Sequence, residues 1–212
     1  MRRLGLLEQG QFSTAYYKSF LEEMRSREND SFEIEHIPCD FESLNVHLPD
    51  QFHELKPRLR KILSGIDFQR FSAVIIPNMT LHLTLDRLQL AEWEESKLIH
   101  PFKVALRRLK KEGVEEITLA GTRHTSNHPE IKSYFEKGGI NVCFASEESI
   151  RVFDDLRQEV YRSGANDTLK KELEDELRNY PNPLLLCTEL SVIAPKNVYD
   201  LSKMQMEECL LS

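Results

Sequence analysis

Short apolar runs alternate with longer stretches that are apolar only at helical spacing, and this alternation, kept up along nearly the whole chain, leaves few folds open. Residues 73–77 read Ala-Val-Ile-Ile-Pro. A continuous apolar run of that kind suits a parallel strand covered on both faces. Residues 4–7, 116–120, 140–144 and 183–187 are similar segments, and residues 32–37 alternate as a half-covered strand does. The stretches between them carry helical periodicity: about 13–27, with Ser13 or Thr14 able to cap it, then 52–63, 101–112, 129–137, 148–162, 168–178, and a short tail helix over about 200–211. Strands alternating with helices predict βαβ units and parallel sheets.

The pattern restarts near residues 96–100. The chain of 212 residues is therefore expected to form an α/β protein of two pseudo-symmetric, open parallel-sheet halves, with the site in the cleft between them. The first half takes residues 1–97 plus 197–212 and the second takes 98–196. Open parallel sheets bind ligands beyond the carboxyl ends of their strands. The segments that follow strands, at 8–14, 38–40, 78–82, 121–125 and 187–189, are thus where functional residues are expected.

The charge balance narrows the partners. With 28 basic against 35 acidic residues, the net charge of −7 disfavours a phosphate-backbone surface. The basic runs at 58–61 and 107–111 have apolar residues on the opposite helical face, as solvated helix surfaces do. No nucleic-acid partner is expected. The four cysteines, Cys39, Cys143, Cys187 and Cys209, have no zinc-ligand spacing, so no metal is expected. The start of the chain has two arginines but no apolar core of signal-peptide length, and no apolar run approaches the ~18 residues of a membrane span. The expected setting is cytoplasmic, away from membranes, with reduced thiols.

The strand-end segments resemble those of one family. Gly121-Thr122-Arg123-His124-Thr125 looks like the Gly-Thr-Arg-x-Thr turn of the cofactor-independent aspartate/glutamate racemases, with Tyr134 as the following aromatic. Leu186-Cys187-Thr188-Glu189-Leu190 is similar to that family's second cysteine motif, Gly-Cys-Thr-Glu-Leu, with Leu186 in the glycine's place. The segment from Leu4 through Gly10 to Thr14 resembles its first turn, Asp40-Phe41-Glu42 its second-strand turn, and Val198-Tyr199-Asp200 its closing segment. The likeness runs through the whole chain in order.

The resemblance implies racemisation without pyridoxal phosphate or any other cofactor. In that scheme two thiols flank the substrate, one removing the α-proton and the other returning a proton to the opposite face. Hydroxyls stabilise the carboxylate as charge builds on it. Cys187 fits one thiol, and a position at a helix start would lower its pKa and make thiolate available as the base. It should then be the thiol most readily alkylated. Thr14, Thr80, Thr122, Thr125 and Thr188 are the implied carboxylate-binding residues, and Glu8, His82 and Glu189 the supporting ones. The implied partner is a small carboxylate, an acidic amino acid, and the implied assembly is a homodimer.

Two segments depart from the family: the first turn, where Leu7-Glu8-Gln9 replaces a Gly-Gly-Met stretch, and the first cysteine motif. Where the family has Cys-Asn-Thr-x-His, this chain reads Asn78-Met79-Thr80-Leu81-His82. Asn78 thus holds the first cysteine's position, and an amide is no base near neutral pH. Glu8 also adds a carboxylate near the implied anion site. His82 and Cys39 are candidate substitute bases; His124 and His128 read as surface residues. Three readings stay open: a racemase for an acidic amino acid, a one-thiol relative similar to arylmalonate decarboxylase, and a carboxylate-binding descendant without catalysis.

Overall fold

A stretch such as Leu4-Gly5-Leu6-Leu7 can be covered on both faces only in the middle of a sheet, and that is its place here. In the computed structural model, which describes residues 2–28 and 31–211, β1 (Arg2–Leu7) lies between β2 (Phe32–Ile37) and β3 (Ala73–Ile75), all three parallel. Gly5 is required at the centre. A Cβ there would stand 2.8 Å from Ile37 Cδ1 and 3.2 Å from atoms of both Phe71 and Val74. The helices of this part are α1 (Gln11–Glu28), α2 (Glu42–Asn45), α3 (Phe52–Ser64), α4 (Met79–Leu85) and α5 (Glu92–Lys97). α3 buries Leu55, Leu59 and Leu63, one stripe at a spacing of four residues. That stripe joins Leu7, Phe68 and Val74 in a common core.

A second sheet follows. After α6 (Pro101–Lys111), β4 (Glu116–Ala120) is joined through α7 (Pro129–Lys137) to β5 (Asn141–Phe144). Helices α8 (Glu147–Ser163) and α9 (Asp167–Leu177) lead to β6 (Pro183–Leu185), then α10 (Thr188–Ser191), β7 (Tyr199–Asp200) and α11 (Leu201–Leu210). The strand order is β5-β4-β6-β7, again all parallel. Polar side chains set the helix starts: Ser146 accepts from the Ser149 N–H and Asn166 from the Leu169 N–H.

The chain divides into two compact units, residues 1–100 with 205–212 and residues 101–204. The expected return to the first half at residue 197 is corrected to 205. The reason is β7, which pairs with β6 through Leu184↔Tyr199 and Leu185↔Asp200 and so keeps that stretch in the second unit. α1 begins at Gln11, ahead of the expected start, and Thr14 bonds back to Gln9 instead of capping it. In the first sheet β2 and β3 lie on opposite sides of β1, and in the second β5 and β6 lie on opposite sides of β4. The carboxyl ends of β1 and β3, and of β4 and β6, are therefore the switch points at which such sheets hold ligands. Among the described residues no helix is long and apolar enough to cross a membrane.

Candidate active site

The second unit's switch point carries the thiol. Leu186 N–H extends the β4–β6 pairing by donating to Ala120 O at 2.8 Å, which sets Cys187 beside the turn that begins at Gly121. Cys187 is the extended residue that opens α10 (φ −110°, ψ 119°). Its Sγ makes no capping bond but donates to Glu189 Oε2 at 3.0 Å. The other carboxylate oxygen, Oε1, accepts from the Tyr161 hydroxyl at 2.7 Å. Both side-chain oxygens of Glu189 thus accept a hydrogen bond.

This environment overturns the expected low-pKa thiol. Cys187 is only 6% exposed. Burial, then the Glu189 charge and its hydrogen bond, push the thiol well above the ordinary cysteine value, and the N–H groups of Leu190 and Glu189 oppose this without prevailing. Cys187 is thus held as a thiol, a proton donor at rest. The expectation that it alkylates first is corrected as well, because the exposed thiol is Cys143. Cys39 is half-buried, and burial pushes it up to about 11.

The turn after β4 is wound on itself. Thr125 and Ser126 both donate their N–H to Thr122 O at 2.9 Å, Thr125 Oγ1 donates to the same oxygen at 3.2 Å, and Ser126 Oγ donates to Gly121 O at 2.7 Å. Arg123 leaves the turn to pair with buried Asp154 on α8, Nε to Oδ2 at 2.8 Å. Thr188 Oγ1 accepts from Ser202 Oγ at 3.2 Å, which leaves its own proton to give. The Thr122 hydroxyl has no partner among the described residues. Thr122 and Thr188 therefore keep a hydroxyl proton for a ligand, whereas that of Thr125 is used within the turn. Asp200 anchors the assembly: its Oδ1 accepts from Ser191 Oγ at 2.8 Å and from the N–H groups of Ser202 and Lys203.

Asn78 takes the corresponding place in the first unit, just beyond β3, and caps α4. Its Oδ1 accepts from Leu81 N–H at 3.1 Å and from Thr80 Oγ1 at 3.0 Å. The amide oxygen is committed on both sides, so the side chain presents its NH₂ and acts only as a donor. His82 lies beneath, 1% exposed. Its Nδ1 is 2.8 Å from Asn78 O, and its Nε2 is 3.4 Å from the Gln205 amide nitrogen. A carbonyl only accepts, which assigns the proton to Nδ1 and makes Nε2 the acceptor. Burial first, then His100, push His82 well below its ordinary value. With both nitrogens engaged, His82 supports the Asn78 backbone and is no substitute base.

Thr14 Oγ1 holds the turn after β1, donating to Gln9 O at 3.2 Å and accepting from Gln9 N at 2.9 Å. Glu8 pairs with His36 at 3.3 Å. Gln9 Nε2 donates to Glu8 O, and its buried Oε1 has no partner. The structure thus gathers Thr122, Thr125, Cys187, Thr188 and Glu189 about one sheet end, and Glu8, Thr14, Asn78, Thr80 and His82 about the other. Sequence reasoning missed Gln9 and Tyr161. The step from Tyr161 to Glu189 spans 28 residues, and no local pattern connects them. Among the described residues no three His, Cys, Asp or Glu side chains gather as a metal would require.

No protein-family model matches the chain, and comparison with curated proteins gave no match. Solved structures do match over its full length. An aspartate racemase homologue from Pyrococcus horikoshii aligns with a TM-score of 0.77 and 17% identity, covering 100% of this chain and 98% of that one. The Picrophilus torridus aspartate racemase aligns with a TM-score of 0.73 and 14% identity, covering 100% and 94%. The maleate isomerase Iso from Pseudomonas putida aligns with a TM-score of 0.52 and 11% identity, covering 99% and 92%. The chain has the fold of the aspartate/glutamate racemases.

Proposed function

We propose that the chain is a cofactor-independent isomerase of the racemase type that moves the α-proton of a small acidic amino acid, with Cys187 as the thiol acid/base. The observation that carries this reading is Cys187 itself: a buried thiol at a sheet switch point, bonded to a carboxylate, with the hydroxyls of Thr122 and Thr188 nearby in the fold and unspent as donors. As a base, the thiol first passes its proton to Glu189. The thiolate then takes the substrate's Cα–H, and the electron pair left behind spreads into the substrate carboxylate as an enediolate, where hydroxyl and amide protons stabilise it. As an acid, Cys187 delivers its S–H proton to Cα and is left as thiolate. Asn78, whose oxygen is taken by Leu81 N–H and Thr80 Oγ1, can act toward a ligand only as a donor. Thr14, Thr80 and Thr125 serve by holding the turns.

Asn78 also favours a second reading. A donor in the first cysteine's place fits one-sided proton delivery, as in a one-thiol isomerase or decarboxylase. The deciding experiment is NMR of L- and D-Asp and L- and D-Glu in D₂O with the wild type and Cys187→Ala. Deuterium entry at Cα with inversion supports racemisation, and entry without inversion supports one working base. Equal exchange by Cys187→Ala, or none by the wild type, removes the proposal.

A further inference from the structure

After burial, Glu189 is what holds the proton on Cys187, through its hydrogen bond from Sγ, so whatever fixes Glu189 bears on the thiol. A glutamate has several rotatable bonds, and holding one carboxylate in one orientation costs about 1–2 kcal/mol of side-chain entropy. Cys187 Sγ meets this carboxylate at 3.0 Å on Oε2, and the Tyr161 hydroxyl meets it at 2.7 Å on Oε1. Tyr161 comes from a well-anchored helix. Phe153, Leu156 and Val160 bury the inner face of α8, and the Arg157 guanidinium lies 5.9 Å from the Tyr161 ring centroid. The ring itself is half-exposed, so packing alone does not explain a tyrosine there.

We propose that Tyr161 is a positioning residue acting through Glu189: its hydroxyl holds the carboxylate in the orientation that lets the other oxygen receive the Cys187 S–H. This rests on the reading of Cys187 as the proton carrier. A carboxylate that already accepts a phenol is a weaker acceptor for a second proton. Tyr161 therefore keeps the proton on sulfur between turnovers. Without the phenol the carboxylate is held less firmly in that orientation, and the sulfur is held less firmly to its proton. The transfer involved is a single proton between sulfur and carboxylate oxygen, with no co-reactant.

A Tyr–Glu bond that merely tied α8 to α10 would affect stability and leave the thiol's titration alone. The test therefore reads the titration. Iodoacetamide alkylation of Cys187, followed by peptide mass spectrometry across roughly pH 6–10, is compared in wild type, Tyr161→Phe, Glu189→Gln and the double variant. Tyr161→Phe deletes one oxygen from a half-exposed ring, and circular dichroism checks its fold. At about pH 8, each single variant should alkylate roughly tenfold faster than wild type. The double variant should be no faster than Glu189→Gln alone, because Tyr161 has nothing left to act through. A Tyr161→Phe profile that coincides with wild type overturns the proposal, as does a double variant in which the two effects multiply. Alkylation needs no substrate. Failure of the α-proton exchange would remove the functional reading while this result stood, and failure here would leave the exchange untouched.

Discussion

The buried imidazole of His82 should make the protein lose stability as pH falls below neutrality, in an amount that one variant isolates. In the folded chain Nδ1–H donates to Asn78 O, and Nε2 faces the Gln205 amide nitrogen. Protonating Nε2 would set one donor against another and bring a charge into the core, with the His100 ring centroid 4.9 Å away. The folded pKa is pushed well below 6.5, by burial first and His100 second. For a histidine depressed in this way, the unfolded state binds more protons between the two pKa values. The stabilisation is complete above the unfolded value and is lost as pH falls from about 6.5 toward the folded value. One proton of difference gives a slope of about 1.4 kcal/mol per pH unit. That is a large share of the ~5–15 kcal/mol typical of a folded domain. Urea unfolding of the wild type and His82→Asn between about pH 7.5 and 5 would measure it, since an asparagine amide can still donate toward Asn78 O without titrating. Other titrating groups cancel in the difference between the two proteins. The wild type should lose about 1.4 kcal/mol more than the variant for each pH unit below 6.5. Parallel pH dependences would refute the assignment of a neutral, buried His82.

The remaining predictions concern the turns. In Gly121→Ala the new Cβ would lie 2.6 Å from Thr125 Oγ1 and 3.2 Å from Leu186 Cβ; a loss of about 1–3 kcal/mol in urea melts is expected. Asn78→Ala should cost about 1 kcal/mol through the lost cap, whereas Asn78→Asp should keep stability and lose substrate binding, read by calorimetry with Asp or Glu. Asp200→Asn retains an oxygen for Ser191 and the two N–H groups and should melt within about 1 kcal/mol of wild type. Asp200→Ala orphans all three donors and should lose about 3 kcal/mol or more. In native alkylation time courses, Cys143 should label before Cys187.

The main strands and long helices were legible because burial on both faces leaves a plain mark in the sequence. β3 and β6 begin where their apolar runs begin, and α3 and α9 lie within a residue or two of their periodic patterns at each end. α4 was not legible as a helix. All seven of its residues are buried, so it has no polar face to reveal a period. α10 and β7 are too short to carry any pattern, yet β7 moved the unit boundary. The strand-end motifs located Cys187, Asn78 and the threonines, but not their states. A helix start suggests an acidic thiol until the Glu189 carboxylate is seen to fold back onto it. Five threonines look alike in a motif, and only hydrogen-bond geometry separates Thr122 and Thr188, with protons to give, from Thr14, Thr80 and Thr125, whose protons are taken.

Gln205 also bears on the timing of synthesis. It comes after the second unit in the chain but belongs to the first, where its amide receives the Tyr17 hydroxyl at 2.7 Å and donates to Ile99 O at 2.6 Å. A ribosome emits residues 101–204, an unbroken stretch, before it emits residue 205. The second unit can close on itself while the first, made earlier, still has a buried phenol and a buried carbonyl awaiting their partner. The half that is begun first is thus the half finished last, and the interval between the two is the period in which a holding chaperone would find most to bind.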